Sequence, residues 1–175
     1  MSESTETFVA EPDPTGLVWY VAHTRPRCEK KLTEYGERNG LLVTLPCYRA
    51  VHKYRGKVVK FRKPLFPGYV FFQLLPQQRQ GVYQSDYVAN LLDVPDQATF
   101  SQQLTDILQS LETDLDVRLA PLINAGCRVK IKSGPLRGIE GWVEKRTGTV
   151  MVLLRLDFIG QAAAVKMEAT ELELV

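Results

Sequence analysis

The stretch from Lys60 to Leu75, KFRKPLFPGYVFFQLL, constrains the fold of this chain more than any other. Pro64 and Pro67 have no backbone N–H to donate, and each restricts the residue before it to an extended conformation. Phe66 is therefore held extended between two rigid positions, and Gly68 leads into an apolar run about as long as a β-strand. A basic segment, a rigid aromatic corner and a buried strand follow one another here. The pattern fits a packing hub and a docking site equally well.

Length and composition predict a soluble, folded protein. The chain has 175 residues, enough for one medium domain or two small ones, and its apolar fraction of 45% is ordinary for a globular protein. No apolar run approaches the length of about 18 residues that a membrane span needs, and the N-terminal residues lack the pattern of a secretory signal. Three cysteines, Cys28, Cys47 and Cys127, form no close pair, which is typical of a reducing compartment. We therefore expect a cytoplasmic protein.

The net charge of +2 conceals an uneven distribution of charge. Residues 1–16 hold four acids and no cation, and their Ser, Thr and Pro content predicts a flexible acidic tail. Residues 17–75 carry twelve Lys and Arg against three Glu, whereas residues 76–125 carry two cations against seven acids. Only the segment 17–75 has the excess of positive charge expected of a surface that binds a polyanion. The alternative is a basic face that is merely exposed to water.

Residues 17–112 are predicted to form a first domain of strands and helices. The predicted strands cover 17–22, 41–48 with a bend at Pro46, 68–74 and 89–92, and the predicted helices cover 24–38, 77–86 and 101–112. The first helix starts at Thr24 as its N-cap and ends at Asn39-Gly40. The last helix is capped by Ser101 and carries an apolar stripe for the core, consisting of Leu104, Ile107, Leu108 and Leu111.

Two basic features stand out in this domain. Arg27, Lys31 and Arg38 recur at helical spacing on the first predicted helix and should share its outer face, while Leu32 faces the core. Residues 49–62 show strand-like alternation around Arg55-Gly56 and predict a basic hairpin. Such a hairpin cannot bury both of its faces, so we expect it to protrude.

A change of pattern divides the chain near residue 125. Residues 113–125 are acidic and irregular and are the predicted linker. Residues 126–175 contain five short strand-like segments separated by glycines, which predicts a small all-β barrel as the second domain. The run from Val150 to Leu156 is also compatible with a helix, but the glycines of this domain favour the barrel.

The sequence does not assemble a catalytic or metal site. Cys47 and His52 imitate a thiol nucleophile and its base, without a nucleophile motif around the cysteine. The segment from Lys132 to Gly138 resembles a phosphate-binding loop superficially but lacks the required spacing and the following helix. No cysteines or histidines show the spacing of a structural zinc site. We expect a protein that is not an enzyme and has no cofactor and no metal.

Three motifs in the right order resemble the NusG family of transcription elongation factors. They are Trp19-Tyr20-Val21, then Phe66-Pro67-Gly68-Tyr69-Val70, then a glycine-rich segment containing Gly126, Val129, Gly134, Pro135, Gly138 and Gly141. The resemblance covers residues 17–175. It implies an α+β NGN domain over 17–112, with an antiparallel sheet flanked by helices, and a small all-β SH3-like KOW barrel over 126–175. It further implies that the NGN domain binds the clamp helices of RNA polymerase.

The segment VHKYRGKVVKFRKPLFPGYVFF is most similar to the specialised RfaH-like branch of the family. By that resemblance, a polymerase-binding surface comprises Tyr20, His23, Phe66, Pro67, Tyr69 and Phe71. The resemblance also implies that Arg25, Lys31 and Arg38 meet the non-template DNA strand near the transcription bubble. Arg79-Gln80-Gly81 stands where the branch has a run of threonines that contacts the polymerase gate loop. In RfaH-like proteins the KOW domain can also refold as a helical hairpin that hides the polymerase surface; we expect the barrel here.

The resulting expectation is a monomeric bacterial elongation or antitermination factor. Its first domain would bind RNA polymerase, and its barrel would recruit a second factor such as Rho or the ribosomal protein that also acts as NusE. No membrane is involved. The rival interpretation is a ribosome- or RNA-binding KOW protein without affinity for polymerase.

Overall fold

The computed structural model describes residues 15–121, 128–146 and 149–175. Residues 1–14 of the predicted acidic tail lie outside these ranges. Gly126 and Cys127, at the predicted start of the second domain, also lie outside the described residues, as do Thr147 and Gly148. Among the described residues, no helix is both long and apolar enough to cross a membrane.

The first domain consists of six strands, three α-helices and a short 3-10 helix at Pro76–Gln78. The elements are β1 (Val18–Thr24), α1 (Glu29–Arg38), β2 (Leu42–Thr44), β3 (Cys47–Tyr54), β4 (Lys57–Pro64), β5 (Tyr69–Leu74), α2 (Arg79–Tyr83), β6 (Val88–Asp93) and α3 (Gln97–Leu111). Four strands form an antiparallel sheet with the order β2-β5-β1-β6, and β3 pairs with β4 in a separate two-stranded ribbon that extends from it.

The predicted start of the first helix is wrong, whereas its predicted end is confirmed. Thr24 is the last residue of β1, and its backbone N–H donates to the Gly68 carbonyl at 2.9 Å. The helix begins five residues later, so Arg27, with a φ of 60°, lies outside it. At the other end, Asn39 caps the helix and Gly40 adopts the left-handed φ of 68° that such an ending favours.

The third helix, in contrast, begins earlier than predicted. Its N-cap is Asp96, not Ser101, because the Asp96 carboxylate accepts a hydrogen bond from the Thr99 backbone N–H at 3.0 Å. The predicted apolar stripe is confirmed: Leu104 and Ile107 are fully buried, and Leu108 and Leu111 pack against the same core. The earlier start adds Phe100, which is also buried, to that stripe.

The basic hairpin is confirmed with its turn at the predicted dipeptide. β3 and β4 pair antiparallel from Cys47↔Pro64 to Tyr54↔Lys57. Arg55 and Gly56 join them with φ values of 48° and 77°, the two positive angles of a tight hairpin turn. Pro46 separates β2 from β3, as the predicted bend requires.

The second domain is a six-stranded antiparallel sheet with the order β12-β8-β9-β10-β11-β7. The strands are β7 (Val117–Pro121), β8 (Arg128–Ile131), β9 (Glu140–Arg146), β10 (Thr149–Leu156), β11 (Gln161–Met167) and β12 (Leu172–Leu174). The five strands predicted for this domain are all present, so the all-β architecture is confirmed over the helical alternative. The predicted linker differs, because its residues Val117–Pro121 form β7 and pair with β11.

The central sheet of the first domain buries both of its faces. One face packs against α1 and α2 in a core that contains Tyr20, Leu32, Phe72 and Val82. The other face contributes Val21 and Phe71 to a second core, which also holds the stripe of α3 and the interior of the C-terminal sheet. The two domains therefore share one continuous apolar core, with α3 packed against β10.

Candidate functional site

Strand alternation on β1 and β5 places three of the six predicted polymerase contacts, His23, Tyr69 and Phe71, on one side of the central sheet. The register pairs Val21 with Phe71 and His23 with Tyr69, and directly opposed residues project to the same face. We call these four residues, together with Trp19 on the same side of the sheet, the aromatic face. Its members are Trp19, Val21, His23, Tyr69 and Phe71.

Tyr20, another predicted contact, projects to the opposite face of the sheet. It pairs with Phe72 and is almost fully buried in the core beneath α1 and α2. The Arg79 guanidinium lies 5.2 Å from the centre of the Tyr20 ring. The structure therefore separates Tyr20 from the other five predicted contacts and gives it a position from which it can only support the sheet.

The outer end of the aromatic face is open to solvent. The rings of His23 and Tyr69 stack with their centroids 5.4 Å apart; His23 is exposed and Tyr69 is half-buried. Pro67 is exposed beside them. Gly68 has a φ of 87°, and a Cβ there would lie 3.7 Å from the His23 imidazole. The Gly68 N–H donates to the Glu29 carboxylate at 2.9 Å, which fixes this corner to α1.

The inner end of the aromatic face is closed by a chain of edge-to-face ring contacts. Phe66 contacts Phe71 with a centroid distance of 6.3 Å, and Phe71 contacts Phe100 of α3 at 5.6 Å. Phe66 and Phe71 retain only 1% and 0% of their accessible surface. Phe100 also meets Trp19 at 5.6 Å and, from the second domain, Phe158 at 6.2 Å. The predicted contacts are thus split between a solvent-facing end and a buried base.

The two domains are also joined by polar contacts along α3. The Gln103 amide nitrogen donates to the Asp157 carboxylate at 2.8 Å, and the Asp157 backbone N–H donates back to the Gln103 amide oxygen at 3.0 Å. Near the end of the helix, the Gln109 amide donates to the Pro135 carbonyl at 3.3 Å. These contacts hold the C-terminal sheet beside the aromatic face. Sequence patterns do not indicate them, because each joins residues distant in the chain.

A cleft of about 210 Å³ lies between α3 and the C-terminal sheet. Trp142 lines it between two guanidinium groups, Arg155 at 4.7 Å and Arg128 at 5.7 Å from the ring centre. Asp106 lines the same cleft from α3, and burial raises the pKa of its carboxyl, although a hydrogen bond from the Gln102 amide partly opposes the shift. The domain contact therefore includes an aromatic ring and charged groups as well as an apolar core.

The predicted DNA contacts are exposed but do not form one helical row. Lys31 and Arg38 lie seven residues apart on α1, so they project from the same side of the helix. Arg25 precedes the helix, in the segment where its backbone N–H donates to the Tyr87 carbonyl at 2.9 Å. The helical spacing drawn through Arg27 is wrong, because that residue lies outside α1. All three predicted contacts remain available to solvent.

The geometry of β3 separates Cys47 and His52, the two residues that resemble a catalytic pair in the sequence. These residues are five positions apart on one strand and therefore project to opposite faces of the hairpin. Burial raises the pKa of the Cys47 thiol, with Arg62 and Lys30 acting in the opposite direction. Cys47 thus has neither a nearby imidazole base nor an easily formed thiolate. Across residues 15–121, 128–146 and 149–175, no three His, Cys, Asp or Glu side chains group closely enough to hold a metal ion.

Comparison with solved structures shows the same fold. The chain is similar to the structure described as "Domain interaction in Thermotoga maritima NusG", with a TM-score of 0.56, 21% identity, and coverage of 92% of this chain and 98% of that chain. It also matches "Crystal Structure of MjSpt4:Spt5 complex conformation B" at 15% identity over 90% of this chain and 97% of that one, but the TM-score of 0.29 carries no argument. No curated protein matches the chain.

The first domain carries the family assignment. Residues 17–110 match the family model described as "Transcription termination factor nusG", and this range contains the central sheet, the hairpin and nearly all of α3. The match covers more than half of the 175 residues. Together with the C-terminal all-β domain, it establishes that the chain belongs to the NusG family of transcription factors.

Proposed function

We propose that this protein is a bacterial transcription elongation and antitermination factor that binds the clamp helices of RNA polymerase through the aromatic face. The observation that carries the proposal is the solvent-facing end of that face. His23, Tyr69 and Pro67 present rings and an apolar edge to solvent above a buried aromatic base. A surface of this kind suits the apolar side of a helix pair.

Within this proposal the predicted contacts have different roles. His23, Pro67 and Tyr69 touch the polymerase, and Phe66 and Phe71 form the rigid base beneath them. Tyr20 stabilises the sheet from its other face. This division follows from burial, since a side chain without accessible surface cannot make a first contact.

The basic surface supplies the nucleic-acid part of the proposal. Arg25, Lys31 and Arg38 are exposed and contact the phosphates of the non-template DNA strand near the transcription bubble. Such contacts position the protein without reading sequence. The similarity of the hairpin region to the RfaH-like branch supports a place in that branch.

The C-terminal sheet would recruit the second factor, with Rho and the ribosomal protein NusE as the candidates. We place the boundary between the domains at residues 112–116, shorter than the linker that the composition predicted, because β7 already belongs to the C-terminal sheet. The C-terminal sheet packs on α3 next to the aromatic face, so polymerase binding and the domain contact use adjoining surfaces.

Replacing Tyr69 with alanine tests polymerase binding. Tyr69→Ala removes a half-buried ring from the solvent-facing end, and we expect at least a tenfold loss of affinity, about 1.4 kcal/mol, for purified core polymerase. Phe66→Ala is a poorer test, since emptying a fully buried phenylalanine site costs about 3–5 kcal/mol of folding stability. Affinity is measured by biolayer interferometry, and folding by circular dichroism.

The matched control is Tyr54→Ala, which removes the same side chain from the hairpin, where it is 65% exposed. This variant should bind polymerase as the wild type does. Equal affinity of wild type and folded Tyr69→Ala would reject the proposal. Salt-sensitive binding of the full chain to RNA, with no affinity for polymerase, would support the rival RNA-binding function.

A further inference from the structure

The hairpin formed by β3 and β4 has two faces of different chemistry. Because directly opposed residues share a face, the register assigns every hairpin side chain to one side or the other. One side, which we call the cationic face, holds Arg49, Lys53, Lys60 and Arg62 together with Val51 and Val58. The other side holds Tyr48, Tyr54, Phe61, His52 and Val59 with Lys57 and Lys63.

The cationic face has almost no negative charge to neutralise it. The sequence contains no Asp or Glu between Arg38 and Asp86. Arg49 pairs with Asp114, whose carboxylate lies 3.8 Å from the Arg49 guanidinium, but both side chains are largely exposed, so this ion pair contributes little. Residues 51–60 are exposed at every position, so both faces of the ribbon are in solvent.

Lys63 on the other side of the hairpin and Arg55 of the turn lie against aromatic rings. The Lys63 ammonium lies 5.1 Å from the centre of the Phe61 ring, and the Arg55 guanidinium of the turn lies 5.4 Å from that of Tyr54. His52 stacks on Phe61 at 5.5 Å. These contacts order the aromatic side and shield part of its charge, whereas four cations are concentrated on the cationic face.

The base of the hairpin is fixed to the domain. The Lys30 ammonium of α1 donates to the Arg62 carbonyl at 2.8 Å, and the Leu65 N–H donates to the Pro46 carbonyl at 2.8 Å. The ribbon therefore projects in a defined direction from the first domain. A pre-oriented arm loses less conformational entropy when it binds a partner than a free loop does.

We propose that the cationic face binds the phosphate backbone of duplex DNA, as a site separate from Arg25, Lys31 and Arg38. A two-stranded ribbon fits the major groove of B-DNA, which is about 12 Å wide. Its two strands carry two cations each on this face, Arg49 and Lys53 on β3 and Lys60 and Arg62 on β4, so both walls of a groove meet positive charge. The site uses no residue of the aromatic face and does not depend on polymerase binding.

The test compares two triple variants that remove the same charge from opposite sides of the hairpin. Lys53→Gln, Lys60→Gln and Arg62→Gln together empty most of the cationic face, and Arg55→Gln, Lys57→Gln and Lys63→Gln together remove three cations from the turn and the aromatic side. The probe is a fluorescently labelled DNA duplex of two to three helical turns, titrated with the full chain and read by anisotropy. Circular dichroism confirms that both variants are folded.

We expect the wild-type affinity to fall about a hundredfold between about 50 and 200 mM salt, as four phosphate contacts require. The cationic-face variant should bind at least tenfold more weakly at low salt, and its logarithmic salt slope should be shallower by about 2.7. The matched variant should stay within threefold of the wild type. Equal losses in the two variants would overturn the proposal, as would tighter binding to a single-stranded RNA of equal length or no binding to duplex DNA.

Discussion

Asp96 and Asp106 are two carboxyl groups on one helix whose pKa values move in opposite directions. Hydrogen bonds from Thr99 lower the pKa of Asp96 from its ordinary value of 3.8, whereas burial raises the pKa of Asp106 from the same value. Asp96 is therefore stabilising when ionised, and Asp106 is destabilising when ionised. The first caps the helix, and the second faces the C-terminal sheet.

Replacing Asp106 with asparagine should stabilise the protein at neutral pH. A raised pKa in the folded state means that stability is present at acidic pH and is lost as pH rises through that pKa. Asp106→Asn removes the cost of the buried charge, so its Tm should exceed that of the wild type at pH 7, and the two values should converge below the ordinary pKa of 3.8. Calorimetry at a series of pH values measures the difference.

Asp96→Ala provides the opposite case within the same helix. A lowered pKa means that stability is present above the ordinary value of 3.8 and is lost as pH falls through the folded-state pKa. The variant should therefore melt below the wild type at pH 7, with the gap closing at strongly acidic pH. If the Tm differences from the wild type changed with pH in the same direction for both variants, the opposite pKa shifts of Asp96 and Asp106 would be contradicted.

Gly141 offers a steric prediction at a single residue. A Cβ at this position would lie 2.6 Å from a Val152 methyl group and 2.7 Å from the Leu153 carbonyl oxygen, because β9 and β10 approach closely there. Gly141→Ala should lower the free energy of unfolding by about 1–3 kcal/mol in urea titration. Gly81→Ala, on α2 with open space around it, is the control and should be neutral or stabilising by up to about 1 kcal/mol. If the urea midpoint of Gly141→Ala equalled that of the wild type, β9 and β10 would be able to move apart without loss of stability.

At the scale of elements, sequence patterns correctly predicted the features that depend only on neighbouring residues. The hairpin followed from alternation around Arg55-Gly56, and the end of α1 followed from Asn39-Gly40. The start of α1 was wrong because Thr24, a residue typical of an N-cap, is instead held in β1 by its hydrogen bond to Gly68. β7 was missed because it becomes a strand only by pairing with β11, more than forty residues further along the chain.

The candidate site was predictable only in part for the same reason. Alternation on β5 correctly assigns Tyr69 and Phe71 to one face and Phe72 to the other. It gives no indication of which of them stays accessible, since that depends on α3 and on Phe158 of the second domain. Tyr20 was predicted as a polymerase contact because it belongs to a family motif, and a motif does not specify to which side of a sheet a residue projects.

At the scale of the whole molecule, a reciprocal pair of hydrogen bonds between Gln103 and Asp157 is one of the polar contacts that join the domains at the surface. Gln103→Ala removes both bonds and should favour separation of the domains by about 1 kcal/mol, a roughly fivefold change in the ratio of separated to docked molecules. Single-molecule energy transfer between one dye on each domain measures that ratio.

Gln102→Ala is the matched control for this prediction. Gln102 is the neighbouring glutamine on α3, and its amide bonds to Asp106 of the same helix at 2.9 Å. Its loss should leave the distribution of distances near that of the wild type. If Gln103→Ala also leaves the distribution unchanged, the shared apolar core and the Gln109 bond to Pro135 hold the domains together without it.

The shared core also has a consequence for synthesis of the chain on the ribosome. Residues up to Leu111 complete the first domain, yet the apolar stripe of α3 is part of a core whose remaining members follow from Val117 onwards. At synthesis rates of about 5–20 residues per second, the remaining segment takes several seconds to appear. During that interval all residues of the first domain have been synthesised, but the apolar stripe of α3 is not yet covered. The order of translation thus leaves α3 open to chaperones before the C-terminal sheet exists to cover it.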